Sequence, residues 1–175
     1  MANIDAPRGF LLARSGGKEP RRRIRNVDAD NTRPLAIGDG YIIEAADGNI
    51  TRSDSGEAPN GIVESFQVAA KSGEGPESID YLPASTAGVV IGIEDSECEF
   101  EVQMADSVAL TDFDAGQTVA LKDTAPDATL RQSRQEVDTL GGGDLSLVGL
   151  VDRPQNAAGE TNAKVLVRLL AANIV

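Results

Sequence analysis

The sequence predicts an all-β fold, a small β-barrel or sandwich of about eight to nine short strands preceded by an extended, irregular N-terminal arm. Short runs rich in Val, Ile and Leu recur from residue 34 onward, with Gly, Pro, Asn and Asp between them. In addition, no stretch of about a dozen residues repeats its apolar positions with the period of an amphipathic helix. We therefore divide the chain into a basic arm, residues 1–33, and an acidic β domain, residues 34–175.

The arm shows neither a helical nor a strand period. Its turn-forming residues are Pro7, Gly9, Gly16, Gly17 and Pro20. They predict that no regular element persists there. Phe10, Leu11 and Leu12 form its apolar cluster, which we interpret as an anchor that needs a partner surface. A disordered tail is the alternative interpretation of the same composition.

The first strands of the β domain are predicted from apolar runs and turn residues. Tyr41–Ala45 and Asn49–Arg52 flank Asp47-Gly48, a pair that favours a type I′ hairpin turn. Gly61–Val68 is the next predicted strand. The continuous apolar run Val89–Ile93 is typical of a strand that is buried on both faces.

Residues 97–104 show the clearest alternation in the chain. One predicted face holds Glu97, Glu99, Glu101 and Gln103, and the other holds Cys98, Phe100, Val102 and Met104. Because side chains alternate across a strand, we expect the acidic face in water and the thiol of Cys98 in the core, as a small buried hydrophobe.

The remaining strands are predicted at Gln117–Lys122, Thr129–Val137, Leu145–Val151 and Lys164–Leu169. Thr129–Val137 is polar enough to predict an edge strand. Gly141–Gly143 predicts a flexible turn, and the acidic stretch 71–83 predicts a loop.

Charge also divides the chain into a basic head and an acidic remainder. Residues 1–25 hold seven basic and two acidic residues, which leaves nine basic and 26 acidic residues for the rest. The head therefore carries about +5 and the remainder about −17, by formal charges. With a net charge of −12, the chain would repel nucleic-acid phosphates, so we expect no nucleic-acid partner.

Composition gives little support to catalysis. There is no His to act as a general base or metal ligand, and the single Cys excludes an intrachain disulfide. Glu97, Glu99 and Glu101 diverge too little to wrap Ca²⁺, and Asp112 and Asp114 share their spacing. We predict no catalytic residue, no metal site and no cofactor, although sequence alone does not exclude paired carboxylates.

Two further site types are disfavoured by local sequence. Gly141–Gly143 lacks the Lys-Ser/Thr of a phosphate-binding loop, and Asp144 after it would repel a phosphate. No apolar run approaches the roughly 18 residues that cross a bilayer, and Asp5, Pro7 and Arg8 interrupt any signal-peptide pattern. We expect no membrane partner.

The basic run of the arm, residues 21–25 (RRRIR), has three interpretations: a nucleic-acid arm, a solvated tail, or a clamp on an acidic protein surface. The acidic body favours the clamp, because arginine's planar guanidinium can grip carboxylates in a bidentate way. The residues predicted to bind a capsid or a neighbouring copy are Phe10, Leu11, Leu12, Arg14, Arg21, Arg22, Arg23 and Arg25.

Three stretches resemble a known family. The opening MANIDAPRGFLLAR is similar to the start of tailed-bacteriophage head decoration (capsid cement) proteins, which commonly begin Met-Ala-Asn, then Pro-x-Gly-Phe or Leu. Residues 35–53 resemble that family's first hairpin, and residues 147–169 resemble its last two strands. Together they cover about a third of the chain.

This resemblance implies a structural virion protein, not an enzyme, on the outer surface of a phage head assembled in the host cytoplasm. It implies docking on the major capsid protein at threefold or quasi-threefold positions, as a homotrimer. Two alternatives remain: a phage tail or adhesion β module that binds glycans, and a small β-barrel enzyme that uses carboxylates.

Overall fold

The computed structural model describes residues 7–67, 80–105, 116–153, 156 and 162–174. Nearly all regular structure in these residues is β, as predicted, and a 3₁₀ turn follows at Ala171–Asn173. The strands are β1 (Leu11–Arg14), β2 (Arg22–Val27), β3 (Leu35–Ala36), β4 (Gly40–Ile43), β5 (Ile50–Arg52), β6 (Gly61–Gln67), β7 (Tyr81–Leu82), β8 (Gly88–Ile93), β9 (Glu99–Gln103), β10 (Thr118–Lys122), β11 (Glu136–Leu140), β12 (Leu145–Leu150) and β13 (Lys164–Leu169).

Three antiparallel sheets organise these strands. Sheet A has the order β1-β9-β13-β12-β10-β11, sheet B has the order β2-β8-β6-β4-β5, and β3 pairs with β7 alone. The described strands form no closed barrel, so the sandwich alternative of the predicted fold class is the one that fits.

Two apolar clusters form the core. The larger one lies on the inner face of sheet A and includes Ile62 of β6 and Ile93 of β8, so it joins the two large sheets. The smaller one gathers side chains of sheet B with Leu35 and Leu82 of the two-stranded sheet. With few aromatic residues, both clusters depend mainly on branched aliphatic side chains.

The predicted first hairpin is present, with a different turn. Tyr41 pairs with Arg52 and Ile43 with Ile50. The turn is longer than type I′: Glu44 N–H donates to Asn49 O at 2.8 Å, and Gly48 N–H donates back to Glu44 O at 2.9 Å. Only Gly48 within it has a positive φ, so glycine's freedom is used at one position rather than two.

The predicted strand at Val89–Ile93 corresponds to β8, which lies between β2 and β6. Its apolar run is buried unevenly: Val90 and Ile93 are buried, while Val89 and Ile91 are only partly covered. The expectation of complete burial on both faces is therefore wrong for Val89 and Ile91, two of the five residues of the run.

The predicted edge strand at Thr129–Val137 is displaced. A turn occupies residues 127–132, because Asp127 Oδ1 accepts the N–H groups of Thr129 and Leu130, each at 2.9 Å. Strand β11 begins only at Glu136 and is the last strand in the order of sheet A, although Val137 also forms an isolated bridge with Met104. A local side-chain cap thus prevails over strand-like composition.

The predicted turn at Gly141–Gly143 has a specific task. It carries the chain from β11 to β12, which both pair with the intervening β10. A Cβ on Gly142 would lie 2.2 Å from the Cβ of Ala120, so only glycine allows the chain to cross β10 this closely. The final pair, β12 and β13, is present as predicted.

The largest correction concerns the arm. Residues 7–33 are predicted to lack regular structure, yet β1 pairs with β9 at the edge of sheet A and β2 pairs with β8 at the edge of sheet B. Glycine and proline in this segment mark the ends of strands rather than a lack of them. Residues 1–6, the greater part of the acidic stretch 71–83, and Asp112 and Asp114 lie outside the described residues.

Candidate interaction surface along the N-terminal strands

Strands β1 and β2 are the end strands of sheets A and B, where they pair with the consecutive strands β9 and β8. Residues 15–21, which connect them, contact the turn between β8 and β9. Lys18 Nζ lies 3.0 Å from Glu97 Oε2, and the N–H of Arg21 donates to Asp95 Oδ2 at 3.1 Å. The predicted arm therefore contributes one edge strand to each of the two large sheets, and we call residues 7–27 the N-terminal segment.

Three of the four large apolar side chains that are exposed among the described residues lie on the N-terminal segment. Leu11 is 44% exposed, Leu12 41% and Ile24 69%. Leu11 and Leu12 are thus exposed, and their role as an anchor on a partner surface stays a prediction. Ile24 was not predicted as a site residue, because it is a single apolar residue between Arg23 and Arg25 and belongs to no apolar run.

Phe10 differs from its two neighbours. It is 2% exposed and belongs to the larger core cluster, and its N–H donates to Gly38 O at 2.8 Å. Its ring already has a partner surface, which is the inner face of its own chain. In this arrangement Phe10 is a core residue and is not available as an external anchor.

Arg22 is committed within the chain. Its Nε and Nη2 donate to the two oxygens of Glu64 at 2.6 and 2.8 Å, and Nη1 lies 3.3 Å from Glu19 Oε1. The hydrogen bond and charge of Glu64 raise the pKa of Arg22 above its usual value. The bidentate grip predicted for the arginines exists here, with a carboxylate of β6 as its partner.

Arg25 makes a similar grip in a buried setting. Its Nε and Nη2 donate to Glu94 at 2.6 and 2.7 Å, and Glu94 is 0% exposed. Tyr41 Oη donates to the same carboxylate at 2.9 Å. The hydrogen bond to Glu94 raises the pKa of Arg25, and burial raises the pKa of the Tyr41 hydroxyl.

The other predicted arginines lie on the surface. Arg14 is 70% exposed at its side chain and lies 3.5 Å from Glu99 Oε2. Arg21 and Arg23 are exposed. We give the name N-terminal face to six exposed side chains of the N-terminal segment: Leu11, Leu12, Arg14, Arg21, Arg23 and Ile24.

The outer edge of β2 has no pairing partner among the described strands, and it adjoins this face. Glu94 N–H donates to Arg21 O at 3.0 Å, so Arg21 directs its backbone carbonyl toward β8. Since successive residues of a strand direct these groups to opposite sides, Arg22, Ile24 and Asn26 direct theirs to the outer edge. Strand β2 keeps one register with β8 throughout, which leaves this edge straight.

The acidic face predicted in residues 97–103 is solvated only in part, because Glu97 is exposed and Glu101 is half-buried. Glu99 is 7% exposed and Gln103 1%. Basic side chains cover the face: Arg168 donates to Glu99 at 2.5 Å, Arg153 to Glu101 at 2.6 Å, and Lys164 to Gln103 at 2.8 Å. The alternation is correct, but neighbouring strands supply counter-charges that sequence spacing does not reveal.

Cys98 is buried at 0% exposure, as predicted. Burial raises the pKa of its thiol to about 11, so the reactive thiolate is scarce near neutral pH. Within the described part of the chain, no group of three or more His, Cys, Asp or Glu residues is arranged to hold a metal ion.

Comparisons with protein-family models, curated proteins and solved structures gave no match. Among the described residues, no helix has the length and apolar character needed to cross a membrane. The N-terminal face combines exposed apolar side chains, exposed arginines and an unpaired strand edge. This combination suits contact with a protein surface that carries carboxylates.

Proposed function

We propose that this protein is a structural virion protein that decorates the outside of a tailed-phage capsid and stabilises it. The resemblance of residues 1–14, 35–53 and 147–169 to capsid decoration proteins supports this role. The observation that carries it is the N-terminal face, because exposed apolar and basic side chains concentrate there on a chain whose net charge is −12.

Docking would use two kinds of contact on the major capsid protein. Arg21 and Arg23 would meet carboxylates, a contribution that salt weakens. Leu11, Leu12 and Ile24 would be covered by apolar groups, a contribution that persists at high salt. A homotrimer at threefold or quasi-threefold positions would present three such faces, and multivalency would multiply modest single affinities.

Point substitutions on this face give the direct test. Arg21→Glu/Arg23→Glu should weaken binding to undecorated capsids about tenfold or more at low salt, with a smaller difference at high salt. Arg131 and Arg134 are also exposed, so Arg131→Glu/Arg134→Glu is the matched control with the same charge change. Equal affinity of the two double variants in a sedimentation assay would contradict the arginine contacts.

The apolar contacts need their own variant. Leu12→Ser/Ile24→Ser should reduce capsid occupancy at high salt while the folded signal in circular dichroism is kept. If both face variants decorate capsids as fully as the unmodified chain, the proposed docking surface is wrong. Deletion of residues 1–25 is unsuitable, because it would remove β1, most of β2 and the buried Phe10.

A further inference from the structure

A buried polar junction lies where the chain enters β1. Asp39, Ser133 and Gln135 are each 0% exposed. Ser133 Oγ donates a hydrogen bond to Asp39 Oδ1, and Ala36 N–H donates to Asp39 Oδ2 at 2.8 Å. We name Gly9, Gly38, Asp39 and Ser133 the Asp39 junction.

The junction holds the N-terminal segment between two parts of the fold. Gly38 precedes β4 of sheet B, and Ser133 precedes β11 of sheet A. A Cβ on Gly9 would lie 2.2 Å from Ser133 Oγ and 2.4 Å from Gly38 O. The N–H of the next residue, Phe10, donates a hydrogen bond to Gly38 O. The junction is therefore in direct contact with the residue that precedes β1.

Asp39 receives no hydrogen bond from a cationic group in the described part of the chain. Arg52 is the cation that faces it, but its guanidinium donates to Asp123 Oδ2 at 2.9 Å and to Pro34 O at 3.2 Å. Asp123 adds negative charge nearby, and the groups contributed by Gly9, Ala36, Ser133 and Gln135 are uncharged.

A comparison with Glu94 shows that the Asp39 carboxyl group lacks a hydrogen-bonded cationic partner among the described residues. Both carboxyl groups are 0% exposed, yet Glu94 is held by the guanidinium of Arg25 and Asp39 by two neutral donors. A buried carboxylate without a cationic partner is costly, so its neutral form is favoured. Burial accordingly raises the pKa of Asp39 to about 7.

We propose that the Asp39 junction is a pH-dependent latch on the N-terminal segment. It is closed while Asp39 is protonated and its carboxylic acid proton is donated to Ser133 Oγ, and it is loosened when Asp39 ionises. The direction of the pH dependence follows from the difference in the pKa of Asp39 between the closed and the opened junction. In an opened junction, water reaches the carboxyl group and its pKa returns to about 4, so opening releases a proton above that pH. The closed junction is therefore most stable below about pH 4, weakens as pH rises toward 7, and changes little above 7.

Hydrogen–deuterium exchange at the Phe10 amide measures how often the junction opens. The measurement uses the isolated chain and therefore does not depend on any capsid. After correction for the intrinsic exchange rate, protection should fall nearly tenfold from pH 5 to 6 and about fivefold from pH 6 to 7. Protection that changes less than threefold over this range would overturn the proposal.

A neutral analogue supplies the matched test. In Asp39→Asn, the amide oxygen can accept the Ala36 N–H and the amide nitrogen can donate to Ser133 Oγ, so protection should not depend on pH. Asp144→Asn is the control, since Asp144 is also a buried acceptor but binds Leu121 N–H, away from the junction. An Asp39→Asn profile that falls as steeply as that of the unmodified chain would refute the latch.

If Asp39→Asn does not fold, a measurement on the unmodified chain still tests the proposal. The carboxyl carbon of Asp39 can be titrated directly by NMR. A midpoint above about pH 5.5 supports the latch, and a midpoint at or below that value overturns it.

Discussion

Arg25 and Glu94 form a bidentate ion pair, with nitrogen–oxygen distances of 2.6 and 2.7 Å, inside sheet B. Glu94 follows β8 directly, and Arg25 lies on the neighbouring β2. The carboxylate is fully buried, and Tyr41 completes its hydrogen bonds from β4. A basic residue of the predicted arm is thus built into the interior of the domain.

Removal of this arginine should strongly destabilise the protein. Arg25→Ala would leave the Glu94 carboxylate buried without its cation, which typically costs about 3–5 kcal/mol. Urea unfolding should show this loss, while Arg23→Ala, at an exposed position of the same strand, should change stability by less than about 0.5 kcal/mol. Equal unfolding midpoints for the two variants would contradict a buried pair.

Phe10 and Leu12 should respond differently to truncation. Phe10→Ala removes a core ring and should cost about 3–5 kcal/mol in the free energy of unfolding. Leu12→Ala, at a side chain that is 41% exposed, should cost about 1 kcal/mol or less. Thermal unfolding of both variants is sufficient, and a small loss for Phe10→Ala would mean that its ring lies outside the core.

Gly92 is required by the position of Tyr41. A Cβ at Gly92 would lie 2.1 Å from Tyr41 Oη, so Gly92→Ala should destabilise the protein by about 2 kcal/mol or more. Gly149→Ala is the control, because a Cβ there meets no atom within 4 Å. Similar melting temperatures for the two variants would show that the ring can move aside at little cost.

Cys98 should be protected from thiol reagents in the folded state. At pH 8 a disulfide reagent should label it at a rate limited by opening of the structure, and at once in denaturant. Because burial raises the pKa of the thiol from 9.0 to about 11, only the unfolded state ionises between these values, so this thiol's contribution to stability falls across that range. Immediate labelling of the folded chain would contradict the burial.

Much of the fold was predictable because its signals are local. Alternation in residues 97–104 placed Cys98, Phe100, Val102 and Met104 in the core, where all four are found. Apolar runs and turn residues also located β4 to β6, β8, β10 and the last pair, although the turn at Asp127 displaced β11. These features depend on neighbours a few residues apart, which the sequence displays directly.

The arm shows where such local reasoning ends. By itself, the sequence determined that residues 1–33 are basic, interrupted by Gly and Pro, and carry an apolar cluster at Phe10–Leu12. Only the tertiary structure decided that β1 and β2 complete two sheets, that Phe10 is core, and that Arg22 and Arg25 grip Glu64 and Glu94. The reason is physical: the two ion pairs join residues 42 and 69 positions apart, strand pairing joins segments that are similarly distant, and a run of charges does not specify its distant partner.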